Sequence, residues 1–265
     1  MAGRPRQKLR ILCFGDSLTA GYSGMGSVFQ PYEDRLTQML EMAFPDTDID
    51  TLEDGKSGDT VKHGFLNRMR RHCQFSPLLE TTDPPEEPFD WAIVLGGTND
   101  IAFSIPAEEI YERLKEVWEV ALSRKCKVLA LTVPEAGVGA AGRARLDARR
   151  NALNDLIKGH KQEGFYTFDF NAAFPYFALS EADRTRYWDD AIHFTPDGYD
   201  LMGNKIGVEL VSILAKERAD LNPPVTPRKR RRVFRDDENT FEEEEEKDPN
   251  AIDRGYVVVR RKDLD

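Results

Sequence analysis

The sequence predicts an α/β domain built on a parallel sheet with helices on both faces, followed by a charged tail. Three observations carry this. Short apolar runs alternate with helix-length amphipathic stretches from residue 9 to residue 216. Two apolar runs, Leu9–Phe14 and Trp91–Leu95, stop abruptly at glycine, at Gly15 and at Gly96-Gly97. The composition then changes at Asn222-Pro223-Pro224, where apolar residues thin out and charge blocks begin.

Leu9–Phe14 is a strand candidate ending at Gly15. Tyr32–Phe44 places Leu36, Met39, Leu40 and Ala43 at helical spacing. Asp48–Leu52 reads as a weak strand and Val61–Cys73 as a helix. Phe75–Pro88, rich in proline and acid, reads as an irregular insertion. Trp91–Leu95 is a strongly apolar strand, and Ala107–Arg124 a long amphipathic helix with Pro106 at its start. Lys127–Val133 is a strand, Arg143–Gln162 a helix, Tyr166–Phe168 a strand and Pro196–Lys216 the final helix.

The chain has 265 residues, and 37 Lys+Arg against 47 Asp+Glu give a net charge of −10. That balance argues against nucleic acid as a partner of the folded part. Cys13, Cys73 and Cys126 are odd in number and contain no C-x-x-C pair, which disfavours a disulfide framework and a zinc site. No apolar run approaches the about 20 residues of a membrane helix. The N-terminal run Ile11–Phe14 is shorter than the about 7–15 apolar residues of a secretory signal, so the expected location is cytoplasmic. From 223 to 265 the tail holds 11 basic and 12 acidic residues in blocks of one sign, and is expected to be disordered. Its Arg228–Arg232 block reads equally as a nuclear-import or polyanion-binding patch and as a solvated charge block. The expected division is therefore 1–222 and 223–265, with an unknown partner for the tail. Within the tail, Gly255–Arg260 could form a short strand or a docking peptide.

In open parallel sheets, chemistry sits in the loops that leave the C-terminal strand ends. Four loops stand out: Gly15–Gly21, Asp54–Thr60, Gly96–Ile101 and Trp188–Pro196. Alone, each residue of interest has a plain reading: Ser17 as a turn serine, Asn99 as a cap, His193 as a structural histidine. Together they match the needs of acyl transfer, which are a nucleophile, a base, a group orienting the base, and oxyanion donors. Ser17 fits the nucleophile, His193 the base and Asp190 the orienter. The backbone N–H groups of Ser17 and Gly58 and the Asn99 amide fit the oxyanion hole. Asp189 is the neighbouring decoy and reads as a surface carboxylate. Asp16 and Asp100 read as loop scaffolding, and His63, His72 and His160 have no metal-ligand companions.

Other motifs fail on context. Gly55-Lys56-Ser57 resembles the end of a phosphate loop, but Asp50 stands where the first glycine should be. Gly137–Gly142 matches G-x-G-x-x-G, but it belongs to a late strand. The G-x-S-x-G elbow is absent.

In Phe14-Gly-Asp-Ser-Leu-Thr-Ala-Gly21, Gly58 within S-G-D-T, Gly97-Thr98-Asn99-Asp100 and Asp190–His193, the chain resembles the SGNH hydrolases, or GDSL esterase/lipase family. The resemblance spans about residues 9–216. It implies a flavodoxin-like three-layer α/β/α sandwich with five parallel strands. It also implies serine esterase chemistry without metal or cofactor, with Ser17, Gly58, Asn99, Asp190 and His193 as site residues. The expected substrate is a small-molecule carboxylic ester. A short acyl group is favoured, because the Thr19–Ser27 loop is small and polar and no long apolar lid is apparent. The alternatives are a sugar or glycan O-acetyl deacetylase, a lysophospholipase, and a non-enzymatic interaction protein working through its tail.

Overall fold

The computed structural model describes residues 7–73 and 87–221. Residues 75–86 of the expected insertion, the tail from 223, including Gly255–Arg260, and the expected boundary at Asn222 lie outside the described residues.

Sixteen helices and strands follow one another in the described chain: β1 (Gln7–Gly15), α1 (Ser17–Ala20), β2 (Tyr22–Ser23), β3 (Val28–Phe29), α2 (Tyr32–Ala43), β4 (Thr47–Gly55), α3 (Leu66–Cys73), β5 (Trp91–Leu95), α4 (Thr98–Ala102), α5 (Ala107–Leu122), β6 (Lys127–Leu131), α6 (Ala140–Gly159), β7 (Phe165–Phe168), α7 (Phe170–Ala173), α8 (Glu181–Tyr187) and α9 (Pro196–Leu221). Five strands form one sheet in the order β4-β1-β5-β6-β7, every pair parallel. β2 and β3 form a separate antiparallel pair.

Alternation along the strands divides the core into two layers, because successive side chains point to opposite faces. Ile11, Cys13, Ile93 and Leu129 pack with Leu36 and Leu40 of α2 and with Met202, Ile206 and Leu210 of α9. Leu12, Phe14, Val94 and Val128 pack with Met69 of α3, Leu114 and Trp118 of α5, and Leu153 and Ile157 of α6. The fold is thus the expected three-layer sandwich. Strands buried on both faces read as continuous apolar runs, which is why β1 and β5 were the most legible.

Several elements differ from the expectation. β4 is nine residues long rather than five and pairs along the whole of β1. Its carboxylates hid it: Asp48, Asp50, Glu53 and Asp54 sit on a sheet edge, where Asp50 meets Arg10 at 2.7 Å. Residues Val61–Phe65 form a π-helical turn ahead of α3 rather than one continuous α-helix. In α2 the buried positions are Tyr32, Leu36 and Leu40, with Phe44 just beyond, whereas Ala43 faces solvent. α9 continues to Leu221, past the expected end at Lys216.

The strand order has one topological consequence. The chain leaves β1 toward β4 on one side and returns to β5 on the other, which opens a crevice above the C-terminal ends of β1 and β5.

Candidate active site

Ser17 opens α1 directly after β1 and is buried. Asp16 is the N-cap of that helix, and its carboxylate accepts the Leu18 N–H at 3.0 Å, the scaffolding role expected of it. Asp16 itself is buried and its Oδ2 has no partner among the described residues. Burial lifts its pKa to about 7, against the pull of the Leu18 N–H and with a further push from Asp100.

His193 arrives from the loop between α8 and α9. Trp188 and Phe194 pair across that loop as an isolated antiparallel bridge, and both side chains are buried. Their rings lie 4.6 Å apart, and Phe194 stands edge-on to Phe174 at 4.7 Å. This aromatic anchor, which the sequence reading missed, fixes both ends of the Asp189–His193 turn. A Trp and a Phe flanking a D-x-x-H segment were the available signal.

The turn brings three predicted residues into a chain of hydrogen bonds. Ser17 Oγ lies 2.9 Å from His193 Nε2, and His193 Nδ1 lies 2.8 Å from Asp190 Oδ2. Asp190 Oδ1 accepts the N–H groups of Ile192 and His193, each at 2.6 Å. Partial burial alone would raise the Asp190 pKa, but the hydrogen bonds from His193 and Ile192 outweigh it and hold it below the ordinary value. Asp189 points elsewhere: its Oδ2 accepts the Gly24 N–H at 2.8 Å, fastening the turn between β2 and β3. The Tyr22 ring at the start of that turn lies 4.5 Å from the His193 ring, and the Tyr199 hydroxyl donates to the Tyr22 carbonyl at 2.7 Å.

The other expected donors sit on neighbouring loops. Gly58 has a φ of +76°, in the left-handed region that favours glycine, while a Cβ there would meet nothing. The glycine is therefore required by backbone conformation and not by crowding within the protein. Neither the Ser17 nor the Gly58 N–H has an acceptor among the described residues. Asn99 lies in α4, after Gly97, and its Nδ2 donates to the Asp59 carbonyl at 2.8 Å, leaving one amide hydrogen. Asp100 is buried and accepts the N–H groups of Val61 and Lys62 at 2.9 and 3.1 Å, joining this loop to the π-helical turn.

An open cleft borders these residues through Thr98 and Ile192. Its walls include Ile101, Val133, Leu146 and the buried Arg150. The sequence reading did not find it, because its wall segments come from distant parts of the chain.

The remaining histidines serve local contacts: His63 with Thr60, His72 with Asp54, and His160 with Tyr111. Among the described residues no group of three or more His, Cys, Asp or Glu could hold a metal ion. No helix among them is long and apolar enough to cross a membrane.

An α/β sandwich with a serine, a histidine and an aspartate in hydrogen-bond sequence at its strand ends defines the class of molecule. Residues 13–201 match the model of the GDSL-like lipase/acylhydrolase family, and the chain belongs to that family. Solved structures with a similar fold include a lipase/acylhydrolase from Enterococcus faecalis, 23% identical with a TM-score of 0.56, covering 77% of this chain and 96% of that one. A member of the lipolytic G-D-S-L family from Veillonella parvula is 23% identical with a TM-score of 0.53, over 77% of this chain and 98% of that one. A variant of an acetyl xylan esterase from Geobacillus stearothermophilus is 17% identical with a TM-score of 0.54, over 76% and 94% of the two chains. Comparison with curated protein sequences finds no match. Family membership supports ester hydrolysis as the general chemistry.

Proposed function

We propose that this protein hydrolyses carboxylic esters through an acyl-enzyme on Ser17. The observation that carries the reading is the Ser17–His193–Asp190 relay, with links of 2.9 and 2.8 Å. In it, Ser17 Oγ attacks the ester carbonyl carbon while its proton passes to His193 Nε2. Asp190 holds Nδ1–H, so that Nε2 is the free base, and stabilises the imidazolium that forms. The tetrahedral oxyanion rests on the N–H groups of Ser17 and Gly58 and on the Asn99 amide. Collapse expels the alcohol, which takes the proton from His193. Water then attacks the acyl carbonyl as its proton passes to His193, and collapse of this second intermediate releases the acid while Ser17 Oγ takes that proton back.

The preferred substrates are short-acyl esters, a reading supported by the small polar segment Thr19–Ser27. Ile101, Val133 and Leu146 in the wall of the neighbouring cleft supply apolar contact for a short carbon chain. O-acetyl sugar deacetylation and lysophospholipid hydrolysis remain alternatives on the same machinery.

The test is labelling by a fluorophosphonate probe together with turnover of a nitrophenyl ester series and acetylated sugars. Labelling of the native chain, its loss in Ser17→Ala, and a drop in kcat of roughly 10⁴ to 10⁶ with unchanged circular dichroism are expected. Equal labelling of both chains, or more than slight residual activity in the variant, overturns the assignment. A kcat/KM higher for dodecanoyl than for butyryl esters overturns the acyl preference.

A further inference from the structure

We propose that Arg68 is a positioning residue that sets the spacing of the three oxyanion donors. The inference rests on reading Ser17, Gly58 and Asn99 as that hole. Arg68 belongs to α3, outside every motif the sequence analysis singled out, and its side chain is only 4% exposed.

A guanidinium has five N–H donors, and all five are engaged. Nη1 donates to the Gly15 carbonyl at 3.0 Å and to Asp59 Oδ2 at 2.8 Å. Nη2 donates to the Asp54 carbonyl and, at 2.8 Å, to Asp54 Oδ1. Nε donates to Asp54 Oδ2 at 3.3 Å. The guanidinium carbon stands 4.6 Å from the Phe14 ring centroid and 5.5 Å from that of Phe65.

Each acceptor leads to the hole. Gly15 ends β1, two residues before Ser17. Asp59 follows Gly58, so its carboxylate restrains the peptide next to the Gly58 donor. The Asp59 carbonyl in turn holds Asn99 Nδ2 at 2.8 Å. Asp54 closes the far end of the same loop and also takes His72 Nε2 at 2.7 Å. One buried cation thus joins the segments that supply all three donors. The surroundings are shaped for it: a Cβ on Gly64 would fall on the Asp59 carboxylate.

A buried charge used only for stability is a poor device, since desolvation cancels much of the attraction. Geometry is what the fork adds. A lysine could keep the charge but could not reach Gly15, Asp54 and Asp59 with fixed, coplanar bonds. Displacing an oxyanion donor by about 1 Å costs on the order of 10² in rate, because the donors act where charge develops in the transition state.

The experiment compares the native chain, Arg68→Lys, Asn99→Ala and the double variant for kcat, KM, melting temperature and inhibition by phenylboronic acid, which forms a tetrahedral adduct on an active serine. Arg68→Lys should lower kcat by about 10² with little change in KM, and should weaken boronate binding in parallel. Asn99→Ala should cost much less in the Arg68→Lys background than in the native one, because a displaced donor has less to lose. If Arg68→Lys does not fold, Asp59→Ala, which removes the carboxylate that accepts from Arg68 Nη1 and from the Thr60 N–H, is read by the same criteria. Unchanged kcat, or strictly additive losses with Asn99→Ala, overturns the inference. A native chain with no esterase turnover overturns instead the reading of the site on which it rests.

Discussion

Asp190 divides its two carboxylate oxygens between different partners on the same residue, His193. Oδ2 meets the ring Nδ1 at 2.8 Å, and Oδ1 accepts the backbone N–H at 2.6 Å. The turn and the imidazole are therefore oriented by one group. Asp190→Asn can keep the backbone bond through its amide oxygen, but it presents N–H to Nδ1 and favours the wrong tautomer. A loss in kcat of about 10⁴ is expected from that change. Asp189→Asn keeps an acceptor for Gly24 and should leave kcat close to native. Equal losses at 189 and 190 in a steady-state assay would show that the wrong carboxylate was chosen.

Asn99→Ala removes a donor and also the bond to the Asp59 carbonyl. Its kcat should fall by about 10²–10³ with KM little changed. Its stability should drop by about 1 kcal/mol, the usual worth of one hydrogen bond. A raised KM with native kcat would make Asn99 a ground-state binder.

Asp16 should make stability depend on pH in an unusual direction. Its folded pKa of about 7 lies above the ordinary 3.8 because burial disfavours the charged form. Between those values the folded chain keeps a proton that the unfolded chain has released. This group's stabilising contribution is full below about pH 4 and is lost as pH rises through about 7. Asp16→Asn keeps an acceptor for the Leu18 N–H and cannot ionise. Denaturant unfolding between pH 4 and 8 should therefore show the native chain losing stability relative to Asp16→Asn as pH rises. A parallel or opposite trend would mean that Asp16 is not the group responsible.

Ending the chain after Asn222 should leave melting temperature and kcat/KM nearly native. All proposed site residues lie at or before His193, and α9 ends at Leu221. A fall of several degrees, or a tenfold kinetic change, would assign the tail a role in the domain.

Some of this was legible because it is local. The apolar runs at Leu9–Phe14 and Trp91–Leu95 announced strands buried on both faces. Gly97-Thr98-Asn99 and Asp190-Ala191-Ile192-His193 carry their residues within single turns, where spacing alone places side chains together. β4 was half hidden because an edge strand can carry carboxylates that a central strand cannot. The β2–β3 pair was missed because two-residue strands have no period to read.

The sequence by itself determined the alternation of strands and helices, the parallel sheet and the loops at its strand ends, since backbone periodicity is a property of neighbouring residues. Only the tertiary structure decided what Asp189, the neighbour of Asp190, does, which is to accept the Gly24 N–H, 165 positions away. It alone brought Arg68 to the Gly15 carbonyl, 53 positions away, and Ser17 to His193, 176 positions away. Those contacts depend on how packed layers bring distant segments together, and one residue's difference in a turn reverses where a side chain points.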